Sequence, residues 1–211
     1  MKKKLVILGS TGSIGKNLLS IIDNNKNNFE ILLLTANKDY NSLFNQAKKF
    51  KVKNLIITNE KSFKILKKKT LNTNIKVFNN FDAFKFIFKK KINYVMSSII
   101  GLDGLVPTLK IIRHTEQIAI ANKESIICGW SLIKKNLQKY KTKFIPVDSE
   151  HFSLWFGMQN LNIKNIEKFY LTASGGSILN KGINELNKIS NNDVLKHPNW
   201  KMGKKITVDS A

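Results

Sequence analysis

Asp148, Ser149, Glu150 and His151 set two carboxylates, a hydroxyl and an imidazole side by side, directly after the apolar run Phe144-Ile145-Pro146-Val147. On extended chain, side chains two residues apart lie on the same side of the strand. Asp148 and Glu150 would then converge on one hard divalent cation, which takes oxygen ligands at about 2.0–2.6 Å. The same residues also fit a plainer role, a strand end that opens a helix, with Asp148 or Ser149 as N-cap and Glu150 in the first turn.

A second chemistry-bearing stretch is Gly9-x-x-Gly12-x-x-Gly15, which follows the apolar run Leu5-Val6-Ile7-Leu8. Glycines there permit a tight turn and let backbone N–H groups approach a pyrophosphate at a helix N-terminus. An acid about 20 residues past such a loop binds the ribose of NAD. Thr35-Ala36-Asn37-Lys38-Asp39 occupies that place. Asn37 and Lys38 suit a 2′-phosphate, which favours NADP, while Asp39 opposes it. Lys123, in Ala121-Asn122-Lys123-Glu124-Ser125, follows another strand and falls at the carboxyl edge of the sheet, where ligands of such folds bind. Asn122 there also suits an N-cap. Further along stand Thr172-Ala173-Ser174-Gly175-Gly176, His197-Pro198-Asn199-Trp200-Lys201-Met202-Gly203 and Val208-Asp209-Ser210. Trp200 and Met202, in a long polar segment, suggest a lid with its own apolar cap.

The elements that must position these residues alternate. Continuous apolar runs at 5–8, 30–35, 55–57, 94–96 and 118–121 read as buried parallel strands, with a minor strand at Val77-Phe78. Apolar stripes at helical spacing lie between them, including 101–112, where Pro107 interrupts the helix, and 124–137. The expected architecture is α/β: a Rossmann-like doubly wound parallel sheet over 1–148, followed by the start of an α+β catalytic domain over 149–211. The second part is expected to hold a helix over 152–158, strands at 166–173 and 206–208, and a flexible loop of about 174–204.

Composition narrows the partners. Hydrophobic residues make up 42% and charged residues 24%, an ordinary globular balance. No apolar run approaches the roughly 20 residues that span a bilayer, and the N-terminal run is too short for a signal peptide. The chain is therefore expected to be cytoplasmic and free of membrane. The net charge of +22 is spread along the chain as lysine, with arginine only at Arg113. A nucleic-acid binder more often clusters its charge and uses arginine, so compositional drift is preferred to a nucleic-acid partner. The excess charge would still attract a phosphorylated substrate. Cys128 sits among Ile126, Ile127 and Trp130 and reads as a packed thiol.

The ordered set Gly-Ser-Thr-Gly-Ser-Ile-Gly, Ala-Asn-Lys-Glu-Ser, Pro-Val-Asp-Ser-Glu-His, Ala-Ser-Gly-Gly, His-Pro-Asn-Trp-x-Met-Gly and Ile-Thr-Val-Asp-Ser-Ala resembles the 1-deoxy-D-xylulose 5-phosphate reductoisomerase family over the whole chain. The resemblance implies an NADPH-dependent enzyme of the non-mevalonate isoprenoid pathway that uses Mg2+ or Mn2+, with Co2+ as a further option. It implies rearrangement of a phosphorylated sugar substrate and reduction to 2-C-methyl-D-erythritol 4-phosphate. By the same resemblance Thr11, Gly12, Ser13, Ile14, Asn37, Lys38, Asp39, Asn122, Glu124 and Gly203 contact the coenzyme, and Asp148 and Glu150 hold the metal. Lys123, Ser149, Glu150, Ser174, His197 and Ser210 hold the substrate, and Trp200 covers the site. The metal and Lys123 would support the charge of a retro-aldol and re-addition.

This sequence departs from the family pattern at Ser177-Ile178-Leu179, where Pro-Phe-Arg is usual, and it stops where the family continues with Thr-Met-Met-Asn-Lys-Gly-Leu-Glu. The resemblance places further substrate residues and a third metal ligand in that continuation, and a homodimer in the completed chain. Two other readings compete. A semialdehyde-type NADP dehydrogenase shares the opening glycine loop but needs a nucleophilic cysteine. A non-catalytic, basic nucleotide-binding module leaves Asp148 and Glu150 without a role.

Overall fold

The computed structural model describes residues 2–171, 175–199, 201 and 203–210, without the side chains of Lys205, Ile206 and Asp209. Seven strands form a wholly parallel sheet: β1 (Lys3–Leu8), β2 (Phe29–Ala36), β3 (Asn54–Ile57), β4 (Lys76–Phe78), β5 (Ile92–Ser97), β6 (Thr115–Ile120) and β7 (Lys143–Pro146), in spatial order β4-β3-β2-β1-β5-β6-β7. The helices between them are α1 (Ser13–Asp23), α2 (Tyr40–Lys49), α3 (Glu60–Lys69), α4 (Phe84–Ile87), α5 (Leu105–Ile112) and α6 (Lys123–Tyr140). After β7 comes α7 (Ser149–Gly157).

Strand alternation explains the layers. Leu5 and Ile7 point to one face of β1 and pack with Leu19, Ile22, Leu43, Ala47 and Leu66 from α1, α2 and α3. Val6 and Leu8 point to the other and pack with Phe84, Ile111, Ile133 and Leu137 from α4, α5 and α6. Both faces are covered, so the strands read as unbroken apolar runs. The order runs outward one way through β2, β3 and β4, then restarts beside β1 with β5. Strand order therefore reverses between β1 and β5, the switch point at whose carboxyl edge ligands of such sheets bind.

Three local expectations are corrected. Pro107 does not interrupt its helix: α5 starts at Leu105, so Pro107 sits in the first turn, where the missing N–H has no intrahelical acceptor to lose. Cys128 is exposed rather than packed. The inward face of α6 is Ser125, Gly129, Ile133 and Leu137, and Cys128 shares the outward side with Ile127, which is 77% exposed. The expected strands at 166–173 and 206–208 are also not found. Residues 166–171 are irregular, 172–174 lie outside the described residues, and 204–209 form a helix, α9. A strand needs a ladder partner for its backbone groups, and no strand follows β7 among the described residues.

The chain divides into two compact units, 1–156 and 157–211. Among its described residues the second unit holds 3₁₀ turns at Ile163–Asn165 and Ile183–Lys188, and two short helices, α8 (Asn191–Val194) and α9 (Lys204–Asp209). No helix of the described residues is long and apolar enough to cross a membrane.

One titratable group of the first unit couples to stability. His114 packs on Phe88, with ring centroids 5.7 Å apart, and burial, then the neighbouring Arg113 charge, hold it below its ordinary value of 6.5. The unfolded chain then binds the extra proton first, so stability is complete above about pH 6.5 and falls as pH drops through the histidine range. Chemical denaturation at pH 5 and pH 8 should show a smaller drop in His114→Gln than in the wild type; an unchanged drop would place the acid sensitivity elsewhere.

Candidate functional site

Residues 9–12 form the turn between β1 and α1, and 13–15 open the helix. Gly9 has φ of +83°, and a Cβ there would stand 2.8 Å from the Ser98 carbonyl oxygen, so both conformation and space demand glycine. The turn is pinned to the sheet. Gly9 N–H donates to Thr35 Oγ1 at 2.9 Å, Ser10 N–H donates to the Thr35 carbonyl at 2.9 Å, and Ser98 Oγ donates to the Leu8 carbonyl at 2.8 Å. α1 begins behind Gly12 with no side-chain cap, whereas Asp39, Asn59 and Asn122 cap α2, α3 and α6. A helix start left without a side-chain acceptor, at the switch point, suits an anion such as a pyrophosphate. Thr11, Gly12, Ser13 and Ile14 lie at this turn, with Ser13 and Ile14 exposed.

Asn37, Lys38 and Asp39 follow β2 on the adjacent edge. Asn37 Nδ2 donates to Thr58 Oγ1 at 3.0 Å, and Ser62 Oγ donates to the Lys38 carbonyl at 2.8 Å. Asp39 accepts the Ser42 N–H at 3.0 Å and caps α2. The hydrogen bonds from Ser42, then the Lys16 charge nearby, hold its carboxyl below the usual range. The charge of Asp39 thus serves a helix start.

Asn122 is buried at the head of α6. Its Oδ1 accepts the Ser125 N–H at 2.6 Å, and its Nδ2 donates to the carbonyls of Ile99 and Gly101, the latter at 2.7 Å. Its side chain therefore joins the β5–α5 turn to the α6 start. Lys123, exposed, and Glu124 form the first turn beside it. The Ser125 hydroxyl is buried with no hydrogen-bond partner among the described residues.

At the end of β7 the plainer reading of the Asp-x-Glu stretch is the geometry found. The strand stops at Pro146, Asp148 lies in a bend, and Glu150 is in the first turn of α7, so the carboxylates are not alternate residues of one extended strand. Asp148 Oδ1 accepts the His151 N–H at 2.8 Å and stands 2.7 Å from His151 Nδ1. The local cause is Asp148 itself, whose carboxylate offers the α7 start an acceptor. Its Oδ2 accepts from no described residue, which leaves an oxygen for a cation beside Glu150 and the Ser149 hydroxyl. This donor set suits a hard cation, but among the described residues no group of three or more His, Cys, Asp or Glu gathers into a metal site.

In the second unit, His197 Nδ1 accepts the Asn199 N–H at 3.1 Å, the Gly203 carbonyl accepts from Thr207 in α9, and Ser210 Oγ donates to the Thr207 carbonyl at 3.0 Å. Ser174 and Trp200 lie outside the described residues. Thr35, Gln46, Thr58, Ser62 and Ser98, which hold the loops in place, were not singled out by sequence. The available sign was a hydroxyl at or just past the carboxyl end of a strand, as at Thr35, Thr58 and Ser98.

A doubly wound parallel sheet with a glycine turn on its central strand places the first unit in the Rossmann-like class of α/β domains. The chain belongs to the 1-deoxy-D-xylulose 5-phosphate reductoisomerase family: the family profile matches residues 5–129, and the profile of the family's C-terminal domain matches 144–211. It is 58% identical to the 1-deoxy-D-xylulose 5-phosphate reductoisomerase of Pelagibacter ubique, over 99% of this chain and 54% of that protein. It is 40% identical to that of Wolbachia pipientis, again over 99% and 54%. Among solved structures, the Zymomonas mobilis enzyme in complex with NADPH superposes with a TM-score of 0.86 at 29% identity, over all of this chain and 54% of that one. A DOX-P reductoisomerase in complex with NADPH, fosmidomycin and magnesium gives 0.84 at 31% identity, over 99% and 54%. The chain spans about half the length of the curated relatives it matches.

Proposed function

We propose that this chain supplies the NADPH-binding domain, 1–148, and the start of the catalytic domain, 149–211, of an enzyme that converts 1-deoxy-D-xylulose 5-phosphate to 2-C-methyl-D-erythritol 4-phosphate. The observation that carries the reading is the uncapped α1 start behind the Gly9–Gly12 turn at the sheet's switch point. The relatives solved with NADPH and with magnesium support it. Thr11, Gly12, Ser13 and Ile14 would offer the pyrophosphate the free end of α1, and Asn37 and Lys38 would take the 2′-phosphate. By the family resemblance Asn122, Glu124 and Gly203 would add further contacts to the same coenzyme.

Asp148 and Glu150 would hold Mg2+ or Mn2+, which when bound supplies Lewis-acid stabilisation of charge on substrate oxygens. Lys123 brings a cation to the same carboxyl edge and supports that charge. Ser149 would orient a substrate hydroxyl, while Ser174, His197 and Ser210 would bind the phosphate and Trp200 would exclude water. A cytoplasmic homodimer completes the reading.

The test is a fluorescence titration of the whole 211-residue chain. NADPH should bind at least roughly tenfold tighter than NADH, about 1.4 kcal/mol, and Lys38→Glu should erase the difference. Equal affinity in the wild type would remove the role given to Asn37 and Lys38.

A further inference from the structure

Ser10 is fully buried, and Gln46 of α2 grips it with both ends of its amide. Ser10 Oγ donates to Gln46 Oε1 at 2.7 Å, and Gln46 Nε2 donates to the Ser10 carbonyl at 3.0 Å. The Ser10 N–H is taken by the Thr35 carbonyl at 2.9 Å. Every polar group of Ser10 is thus committed: its hydroxyl and carbonyl both bind one side chain from another helix, and the hydroxyl also stands 3.3 Å from the Thr35 carbonyl.

The consequence lies in the next peptide. The Ser10 carbonyl and the Thr11 N–H belong to the same planar trans unit, so they point in opposite directions. Drawing the carbonyl toward Gln46 turns the Thr11 N–H away from α2. That N–H donates to no described residue, and it precedes the uncapped α1 start. Ser10 is also the surface against which α1 is seated: a Cβ on Gly15 would come within 2.6 Å of Ser10 Cα.

We propose that Gln46 is a positioning residue for coenzyme binding, one that fixes the Ser10–Thr11 peptide so that the Thr11 N–H faces the pyrophosphate. This rests on the NADPH reading above. Gln46→Met keeps the length and removes both hydrogen bonds. Gln46→Glu keeps the acceptor for Ser10 Oγ but sets a carboxylate against the Ser10 carbonyl. Both variants should weaken NADPH at least tenfold while leaving 2′-AMP, which carries the 2′-phosphate but no pyrophosphate, within twofold of the wild type.

Equal weakening of both ligands would mean a general structural role, and no weakening would mean none; either overturns the proposal. Amide exchange gives a readout independent of the coenzyme. The Ser10 and Gly12 N–H groups should exchange faster in Gln46→Met than in the wild type, with the β3 and β6 amides unchanged. If the wild type binds neither ligand, the NADPH reading falls and takes the coenzyme role of Gln46 with it, faster exchange then showing only that Gln46 holds the turn; if the wild type binds and exchange in Gln46→Met is unchanged, the positioning role alone falls.

Discussion

Gly15→Ala should lower the unfolding midpoint of the chain, whereas Gly12→Ala should leave the midpoint in place and abolish tight NADPH binding. Gly12 occupies the N-cap position of α1 and Gly15 lies in its first helical turn, and the two meet different surroundings. A Cβ on Gly15 would stand 2.5 Å from the Gly9 carbonyl oxygen and 2.6 Å from Ser10 Cα, both backbone atoms that cannot swing aside. Overpacking of this kind commonly costs about 1–3 kcal/mol, and each kcal/mol moves the midpoint of a domain this size by about 2–4 °C. At Gly12 the nearest atom to a new Cβ is 3.4 Å away and φ is −76°, so an alanine fits. The added methyl would nevertheless stand at the uncapped helix start where a phosphate oxygen must come close to backbone N–H groups. A tenfold loss needs only about 1.4 kcal/mol. Thermal circular dichroism and NADPH titration on both variants check this; a Gly12→Ala chain that binds NADPH normally would move the pyrophosphate away from this turn.

Asp148→Asn should weaken Mn2+ binding by about 10–100-fold, the usual range for damage to a metal site, without altering the fold. Structure makes the choice of substitution matter. Asp148 also accepts the His151 N–H at 2.8 Å and so caps α7. Asparagine retains that acceptor and loses only the charge, while Asp148→Ala loses both and should give up about a further 1 kcal/mol of stability. Comparing the two by Mn2+ titration, followed by electron paramagnetic resonance, separates metal from cap. Equal Mn2+ affinity in Asp148→Asn and the wild type would leave Asp148 as a helix cap alone.

The sheet was legible because its strands are buried on both faces. Leu5-Val6-Ile7-Leu8 and Leu55-Ile56-Ile57 read as apolar runs in sequence for the same reason that they are buried in space: helices cover both faces of their strands. Helix phase was less legible. Ile126, Ile127 and Trp130 suggested a packed Cys128, but only every third or fourth residue of α6 faces inward. The stretches 166–171 and 204–209 show the limit of local propensity: β-rich composition does not make a strand without a neighbour to pair with. At the candidate site, Asp148, Glu150, Asn122 and Asp39 were found by type and spacing. Their hydrogen bonds showed that Asp39, Asn122 and Asp148 also start helices. Gln46 was invisible, since its grip on Ser10 spans 36 positions and leaves no local pattern.

The central position of β1 has a consequence for how the protein is made. The strand precedes both of its neighbours in the chain, and one of them, β5, comes only at residues 92–97. The turn after β1 is closed only when Ser98 donates to the Leu8 carbonyl, 90 positions later in the chain. Until β5 has been synthesised, β1 therefore has one edge bare, and non-local parallel pairing of this kind is slow and exposed to misassociation. The glycine turn is thus encoded directly after β1 but is completed only once the segment that follows β5 has been made.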